Sequence, residues 1–448
     1  MKRQIIGLVL AALAQLMFCM LSARGDYEFI MPQRLTDASE NYQLSRCANG
    51  QLGFDTSGTL HMTYWSGGAS ASEADPSYVY YRSMDANGEL SVAESIAGSG
   101  GGTYIGGRQP SLALDADGGV WIVWHDHRHT SSATGDNNIN NIEIYADHKP
   151  AGGSFLADDL RLTNSSASHS GDNGYAPRIV AHPSGALSVA WYDFNFSATG
   201  EVSDLCLKTG MAADGFDLSE TMSEMRLTNF NDRDGDPSYT VPDLCVTPDG
   251  SRHLVWGSDF LAGGDLYYGV ATSGSMTLSE TVLATGAWDF FDPAHIAAAP
   301  NGDVWIAYGD QTANGGAAEN VVLLRKRAGE ASFDPPVTLF AASARQYAPD
   351  IEIDADGIAH VVWIDRRDGR DVYYARLDTA TNEILSARAL TTYDGNWERP
   401  SIALDAAGSP AVLYEENIDL DHGDIWLVRV KASVQMTGAD SRLWECYE

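Results

Sequence analysis

Hydrophobic and polar positions along this chain fall into one short phrase that recurs. Its clearest copy opens with Pro349-Asp-Ile-Glu-Ile-Asp354, where apolar and polar residues alternate with the period of a strand. Asp354-Ala-Asp-Gly357 follows as a tight turn in which glycine takes positive φ at no steric cost. Ala359 to Trp363 is rich in β-branched and aromatic residues, the composition of a second strand. After the polar loop Asp365–Arg370 comes a third strand, Asp371-Val-Tyr-Tyr-Ala-Arg376, and a fourth is expected before Leu390-Thr391. The phrase thus predicts four antiparallel strands.

The turn glycine and the large aromatic six residues after it mark seven copies: Gly58/Tyr64, Gly118/Trp124, Gly185/Trp191, Gly250/Trp256, Gly302/Tyr308, Gly357/Trp363 and Gly408/Tyr414. A proline stands eight residues before the glycine in five of them (Pro110, Pro177, Pro242, Pro349, Pro400) and nine before it in a sixth, Pro293. Proline suits the start of a strand, where pairing has not begun. Strand content repeating every 50 to 70 residues predicts an array of small sheets. No Pro/Ser/Gly linker separates the copies, so the expectation is all-β: one seven-bladed β-propeller over residues 26–430. Gln33-Arg-Leu-Thr36 echoes Arg161-Leu-Thr163, Arg226-Leu-Thr228 and Ala389-Leu-Thr391, while the seventh copy has three strands, ending at Asp424–Arg429. The N-terminal segment is therefore expected to supply the outer strand of the last blade and to remove the open edge a linear array would leave.

Composition adds a compartment. Residues 1–23 have the layout of a secretory signal, with Lys2-Arg3, an apolar run from Ile5 to Leu21 and Ser22-Ala23 at its end. A secreted or periplasmic protein is expected, with no membrane association after signal removal and a C-terminal tail at 431–448. The alternative is an uncleaved anchor. The net charge of −33 argues against nucleic acid or an anionic membrane as partner. Cys206 and Cys245 fall in strands as buried thiols, whereas Cys47 and Cys446, near the two chain ends, are candidates for a disulfide in an oxidising compartment.

In a propeller the innermost strand starts at one face and the second strand returns to it. Residues before each repeat proline and after each repeat aromatic therefore share one mouth, opposite the turn glycines. In the second copy Trp124-His125-Asp126-His127-Arg128-His129 opens a long loop, holding three of the eleven histidines. Tyr192, Tyr175 and Arg178 stand beside it in the third copy, and Arg108, Asp243, His295, Asp310, Tyr347, Asp350, Asp365, Arg366, Trp397, Glu398, Arg399, Glu415 and Glu416 complete the rim. Aromatic faces that stack on pyranose rings, with arginines that fork onto uronate or sulfate, suit a polysaccharide partner. His125, Arg108, Tyr175, Tyr347, Trp397 and Arg399 are the candidate substrate-binding residues. Asp365-Arg366-Arg367 reads as a loop tie, and Asp126 and Arg128, at the matching place, take the same structural role.

The candidate catalytic set is His127, His129, Tyr192 and Arg178. β-Elimination at a uronic acid needs a cation on the carboxylate, a base for the adjacent C–H and an acid for the leaving oxygen. His127 or His129 with Tyr192 supplies the last two, and Arg178 or Arg108 the first. Hydrolysis would instead need two carboxylates, for which Asp193, Asp243, Asp310 and Asp350 are available. Asp232, Asp234 and Asp236 alternate around a glycine like the start of a calcium loop, against the plain alternative of a polar turn before Pro237. No organic cofactor and no zinc signature is expected.

With phrases such as Asp354-Ala-Asp-Gly-Ile-Ala-His-Val-Val-Trp363 and Asp371-Val-Tyr-Tyr-Ala-Arg376, residues 30–430 resemble the sialidase-like propellers of secreted bacterial proteins. Sialidases have six blades and Ser-x-Asp-x-Gly-x-x-Trp boxes, of which Ser83-Met-Asp-Ala-Asn-Gly88 is only an echo. Seven blades and a His/Tyr/Arg mouth also resemble the propeller-fold lyases that cleave ulvan and related uronate polymers. For that family His127, His148, Tyr192 and Lys208 stand in similar order, with lysine in the place of an arginine, though His148 and Lys208 end third strands on the far face. The resemblance implies a carbohydrate-active protein, a lyase on an acidic polysaccharide first. A non-catalytic glycan- or protein-binding propeller and a sialidase-like hydrolase are the alternatives.

Overall fold

The computed structural model describes residues 27–36, 42–43, 51–66, 78–96, 106–126, 142–163, 174–193, 204–211, 225–228, 242–258, 264–273, 278–288, 294–312, 319–341, 343–367, 369–391, 395–417 and 423–430. They form seven antiparallel sheets, with no helix among the described residues. In blade two, Gly107–Leu114, Val120–Asp126, Glu143–Lys149 and Leu160–Arg161 hydrogen-bond in that order from the centre outward. The innermost strands of the later blades are Gly174–Ala181, Asp243–Val246, His295–Ala298, Gln346–Ile353 and Trp397–Leu404. Blade one has its inner edge in two pieces, Tyr42–Gln43 and Leu52–Phe54, both paired with Leu60–Ser66. The expected seven-bladed propeller is what the chain forms.

There is no single core. Seven apolar clusters each lie between two neighbouring blades, the last joining Leu52, Met62 and Tyr64 of blade one to Ala403, Leu413 and Ile425 of blade seven. This apolar wedge helps to close the ring. The repeat aromatics fill these wedges: Trp124, Trp191 and Trp363 are 0% exposed and Trp256 1%. At the opposite end of each hairpin the turn glycines have φ between 76° and 87°, where a β-carbon would be strained. The turn aspartate completes the motif. Asp354 Oδ1 accepts the backbone N–H of Asp356 at 2.9 Å and of Ile358 at 2.8 Å.

The Arg-Leu-Thr echo has a structural cause. Leu35, Leu162 and Leu390 are buried against the blade, and the following threonine hydroxyl sits between a backbone N–H and a buried carboxylate. Thr36 Oγ1 donates to Asp424 Oδ1 at 2.6 Å and accepts from Ile425 N at 3.0 Å. Thr391 does the same with Asp371 and Val372, and Thr228 with Asp204 and Leu205. Arg34, Arg161 and Arg226 add ion pairs to Asp424, Glu143 and Asp204. Gln33–Arg34 pairs with Gly423–Arg429, in register Gln33↔Leu427 and Arg34↔Trp426, so the N-terminal segment clasps blade seven as expected. Removing residues 26–40 should lower Tm and unprotect amides of blade seven first, as read by hydrogen exchange. An unchanged Tm would mean that the apolar wedge between blades one and seven closes the ring unaided.

Candidate functional site

Four blades share one device at the mouth. The residue before the strand proline takes a left-handed φ although it is not glycine: Gln109 (50°), Ala176 (47°), Ala348 (49°) and Arg399 (46°). Each coincides with a register break against the second strand, between Arg108 and Ser111, Tyr175 and Arg178, Tyr347 and Asp350, and Glu398 and Ser401. Such a bulge re-aims the side chains beside it, and left-handed backbone at residues other than glycine collects at functional surfaces. In blades four and five the described inner strands begin at Asp243 and His295, past this position. The four described bulges fall in two neighbouring pairs of blades, two–three and six–seven.

At blades two and three the bulges gather four of the expected residues. Arg108 lies directly across from His125, and Tyr175 from Tyr192. His125 meets the Tyr175 ring edge-on at 5.0 Å across the blade boundary, and Tyr175 stacks on Tyr192 at 5.3 Å. The Arg108 guanidinium lies 5.3 Å from the Trp65 ring centre in blade one. Tyr175 and Arg108 are half-buried, whereas His125 and Tyr192 are 3% and 6% exposed. Tyr192 thus lies behind Tyr175 and positions it, which revises its expected role as a proton-transfer group. His127, His129 and Arg128 lie outside the described residues, as do Asp232, Asp234 and Asp236. No group of three or more His, Cys, Asp or Glu side chains suited to a metal occurs among the described residues.

Arg178 is not at the mouth. One residue past its proline, it turns into the ring centre, where Nε donates to Asp243 Oδ1 at 2.7 Å and Nη1 to the Ile179 carbonyl at 2.6 Å. Three other residues at this position also serve the ring. Ser111 Oγ accepts from Ile179 N, Asp243 from Ile296 N at 2.9 Å and Asp350 from Ile402 N at 2.9 Å, each a bond to the next blade. Arg178 and Glu352 line a cavity of about 480 Å³ that reaches the turn face between blades one, two, three, six and seven. A charge-neutralising role on substrate at the mouth is therefore withdrawn for Arg178.

The hydrolytic alternative loses its carboxylates for a similar reason. Asp193 accepts the indole N–H of Trp191 at 3.1 Å, Asp243 and Asp350 hold neighbouring blades, and Asp310 caps Thr312. Asp126 holds Trp124 at 3.0 Å, the structural role expected of it, and Asp365 holds Trp363 and Arg367. Trp397 is fully buried, edge-on to Tyr414 at 5.2 Å and Trp426 at 5.9 Å, so it offers no face to a sugar. Arg399 pairs with the buried Glu415 at 3.0 Å. His148 stacks on Trp121 at 4.2 Å and pairs with the turn residue Asp115, while Lys208 donates to the Leu162 carbonyl; neither reaches the mouth. Three further histidines, His61, His253 and His360, bond Tyr81, Tyr268 and Tyr374 within 2.8 Å, a repeated internal brace.

The ring centre has its own electrostatics. Burial works against the Asp243 carboxylate, but the Arg178 charge and bonds from His295 and Ile296 outweigh it and hold the carboxyl down to about 2. Burial pushes Asp350 up to about 6 and Glu352, which lines the central cavity, up to about 8, with the Asp350 charge adding to the latter. A carboxyl raised above its unfolded value near ~4 favours the folded state at low pH, and this contribution is lost as pH rises through the folded value. Glu352→Gln should therefore match the wild type in Tm near about pH 4 and exceed it increasingly towards about pH 8. Thermal melts across that range check it; an offset that does not change with pH would show that Glu352 does not titrate there.

No protein-family model and no curated protein matches the chain. Solved structures match its fold. An ulvan lyase bound to a GlcA(1-4)Rha3S repeat superposes with a TM-score of 0.58 at 11% identity, over 89% of this chain and 95% of that one. A second polysaccharide lyase gives 0.53 at 10% identity, over 91% and 93%. A protein of unknown function from Dyadobacter fermentans gives 0.50 at 12% identity, over 72% and 94%. At such identities the likeness shows a shared propeller, of the kind on which polysaccharide lyases are built. A sialidase from Streptococcus pneumoniae follows at 0.47, too loose a match to argue from.

Proposed function

We propose that this is an exported carbohydrate-active propeller that cleaves an acidic, uronate-containing polysaccharide by β-elimination at the mouth over blades two and three. The observation that carries this reading is the convergence of Arg108, His125, Tyr175 and Tyr192 across two bulged blades. Arg108 is the cation that would neutralise the uronate carboxylate and acidify the adjacent C–H. His127 or His129, which follow His125 in the sequence, supplies the base, and Tyr175 protonates the leaving oxygen. Tyr192 and His125 hold Tyr175 in place and are positioning residues. The shared fold with ulvan lyases supports the substrate class by analogy. The distribution of mouth residues, different from blade to blade, favours one site over a ring of equivalent lectin sites. Structural calcium at Asp232, Asp234 and Asp236 belongs to the same proposal; a lower Tm after chelation, restored by calcium, would support it.

The test is incubation with a panel of uronate polysaccharides while following the absorbance of the unsaturated product. Arg108→Gln should raise KM and lower kcat with little change in Tm. Binding without any unsaturated product would leave a glycan-binding propeller and end the lyase reading.

A further inference from the structure

The second bulged pair, blades six and seven, carries a group that the chemistry above does not use. Tyr347 occupies the place in blade six that Tyr175 holds in blade three, two residues before the proline. Three guanidiniums surround its ring, with Arg345, Arg366 and Arg370 centred 4.4, 5.3 and 5.9 Å from the ring centre. Tyr347 is 3% exposed, yet its hydroxyl completes no hydrogen bond of ordinary geometry, and Arg366 is the polar side chain that approaches it. Burial, with the Glu398 charge adding, pushes its pKa up to about 12, so at neutral pH the hydroxyl is a donor. Arg345 is paired with Glu319 and Arg370 with Glu398. Among the described residues no carboxylate partners Arg366, whose side chain is exposed.

Three cations crowded on one ring are unusual in a protein of net charge −33, whose overall field repels anions. Two of them are fixed by glutamates, which leaves the Arg366 fork and the Tyr347 O–H as unmatched donors side by side. Arg366 is exposed and the Tyr347 hydroxyl lies buried beside it without an acceptor, so the pair is a complement for an oxygen anion that docks on the fork from solvent, and a planar fork suits carboxylate or sulfate. We infer that Arg366 and Tyr347, braced by Arg345 and Arg370, form an oxyanion-binding subsite at blade six, separate from the cluster at blades two and three. Its ligand is the carboxylate or sulfate ester of an acidic sugar. The subsite does not depend on cleavage: it would hold an anionic chain at a second point on the mouth whether or not the first point reacts.

Calorimetric titration of the full chain with sodium sulfate and, separately, sodium glucuronate tests this, against sodium chloride at equal ionic strength. At least one oxyanion should bind with heat that chloride does not reproduce, and the stronger of the two arms tells sulfate ester from uronate. Arg366→Gln should weaken that binding roughly tenfold to a hundredfold, the effect of removing a hydrogen bond to a charged group. Tyr347→Phe, which keeps the packing, should weaken it in the same direction. Arg367→Gln should leave it unchanged, because that guanidinium is tied to Asp365 at 2.8 Å. Any oxyanion heat lost in Arg108→Gln belongs to the proposed lyase site, and the component that Arg366→Gln removes should persist in Arg108→Gln, which separates the two. Absence of oxyanion-specific heat, or equal losses in Arg366→Gln and Arg367→Gln, would overturn it.

Discussion

Replacing Tyr175 by phenylalanine is expected to lower turnover of a cleavable uronate polymer by about 10²–10⁴-fold, the usual worth of a positioned proton-transfer group. The ring keeps its stacking on Tyr192 at 5.3 Å and its edge contact with His125, so Tm should move by little. The loss should fall on kcat, since a hydroxyl that acts on the leaving oxygen works in the transition state. Tyr192→Phe is the informative companion. It lies beneath Tyr175 at 6% exposure and should cost far less turnover. If Tyr192→Phe is the more damaging of the two, the assignment of acid and positioning residue is reversed. If neither variant changes the rate of unsaturated product formation, proton transfer does not occur at this pair.

The second large effect is on stability. Trp191→Ala or Trp363→Ala should destabilise the protein by about 3–5 kcal/mol, through lost burial and the cavity left between blades. Both rings are 0% exposed in wedges shared by two blades, and each indole N–H also donates to the aspartate two residues on, Asp193 and Asp365. Truncation therefore leaves a buried carboxylate short of a donor as well as a void. Phenylalanine at either position should recover most of the packing but not the hydrogen bond, and so fall between. Denaturant melts check both. A loss below about 1 kcal/mol for either alanine would place the rings at solvent and overturn the wedge description.

The clasp shows how sequence and structure relate here. Gln33–Thr36 was legible as an outer strand because its Arg-Leu-Thr phrase matches other blades, and the match exists because each residue has a fixed duty: ion pair, core contact and carboxylate bridge. The same holds for the turn glycines and the strand prolines. Their backbone requirements are local, and a local requirement leaves the same residue at the same spacing in every copy. Arg345 and Arg370, by contrast, carried no such mark. They come from two segments of blade six that lie 25 positions apart and meet only when its strands pair, and the nearest sequence signal was Tyr347 at the position of Tyr175.

What the sequence by itself determined is what repeats: four-stranded units, seven of them, an apolar wedge behind each aromatic, closure by the N-terminal strand, and the division into mouth and turn faces. These follow from periods of two and from turn chemistry, which act over a few residues. Tertiary structure decided which rim residues face outward. Arg178 and Tyr175 stand three positions apart beside one proline, yet the bulge sends the tyrosine to the mouth and leaves the arginine in the ring centre with Asp243. Trp397 and Tyr347 were equally plausible sugar platforms, and blade packing buried one against Tyr414 and Trp426 and ringed the other with arginines. Side-chain direction at a bulge and contact across a blade boundary depend on residues far apart in the chain, and a repeat pattern holds no record of them.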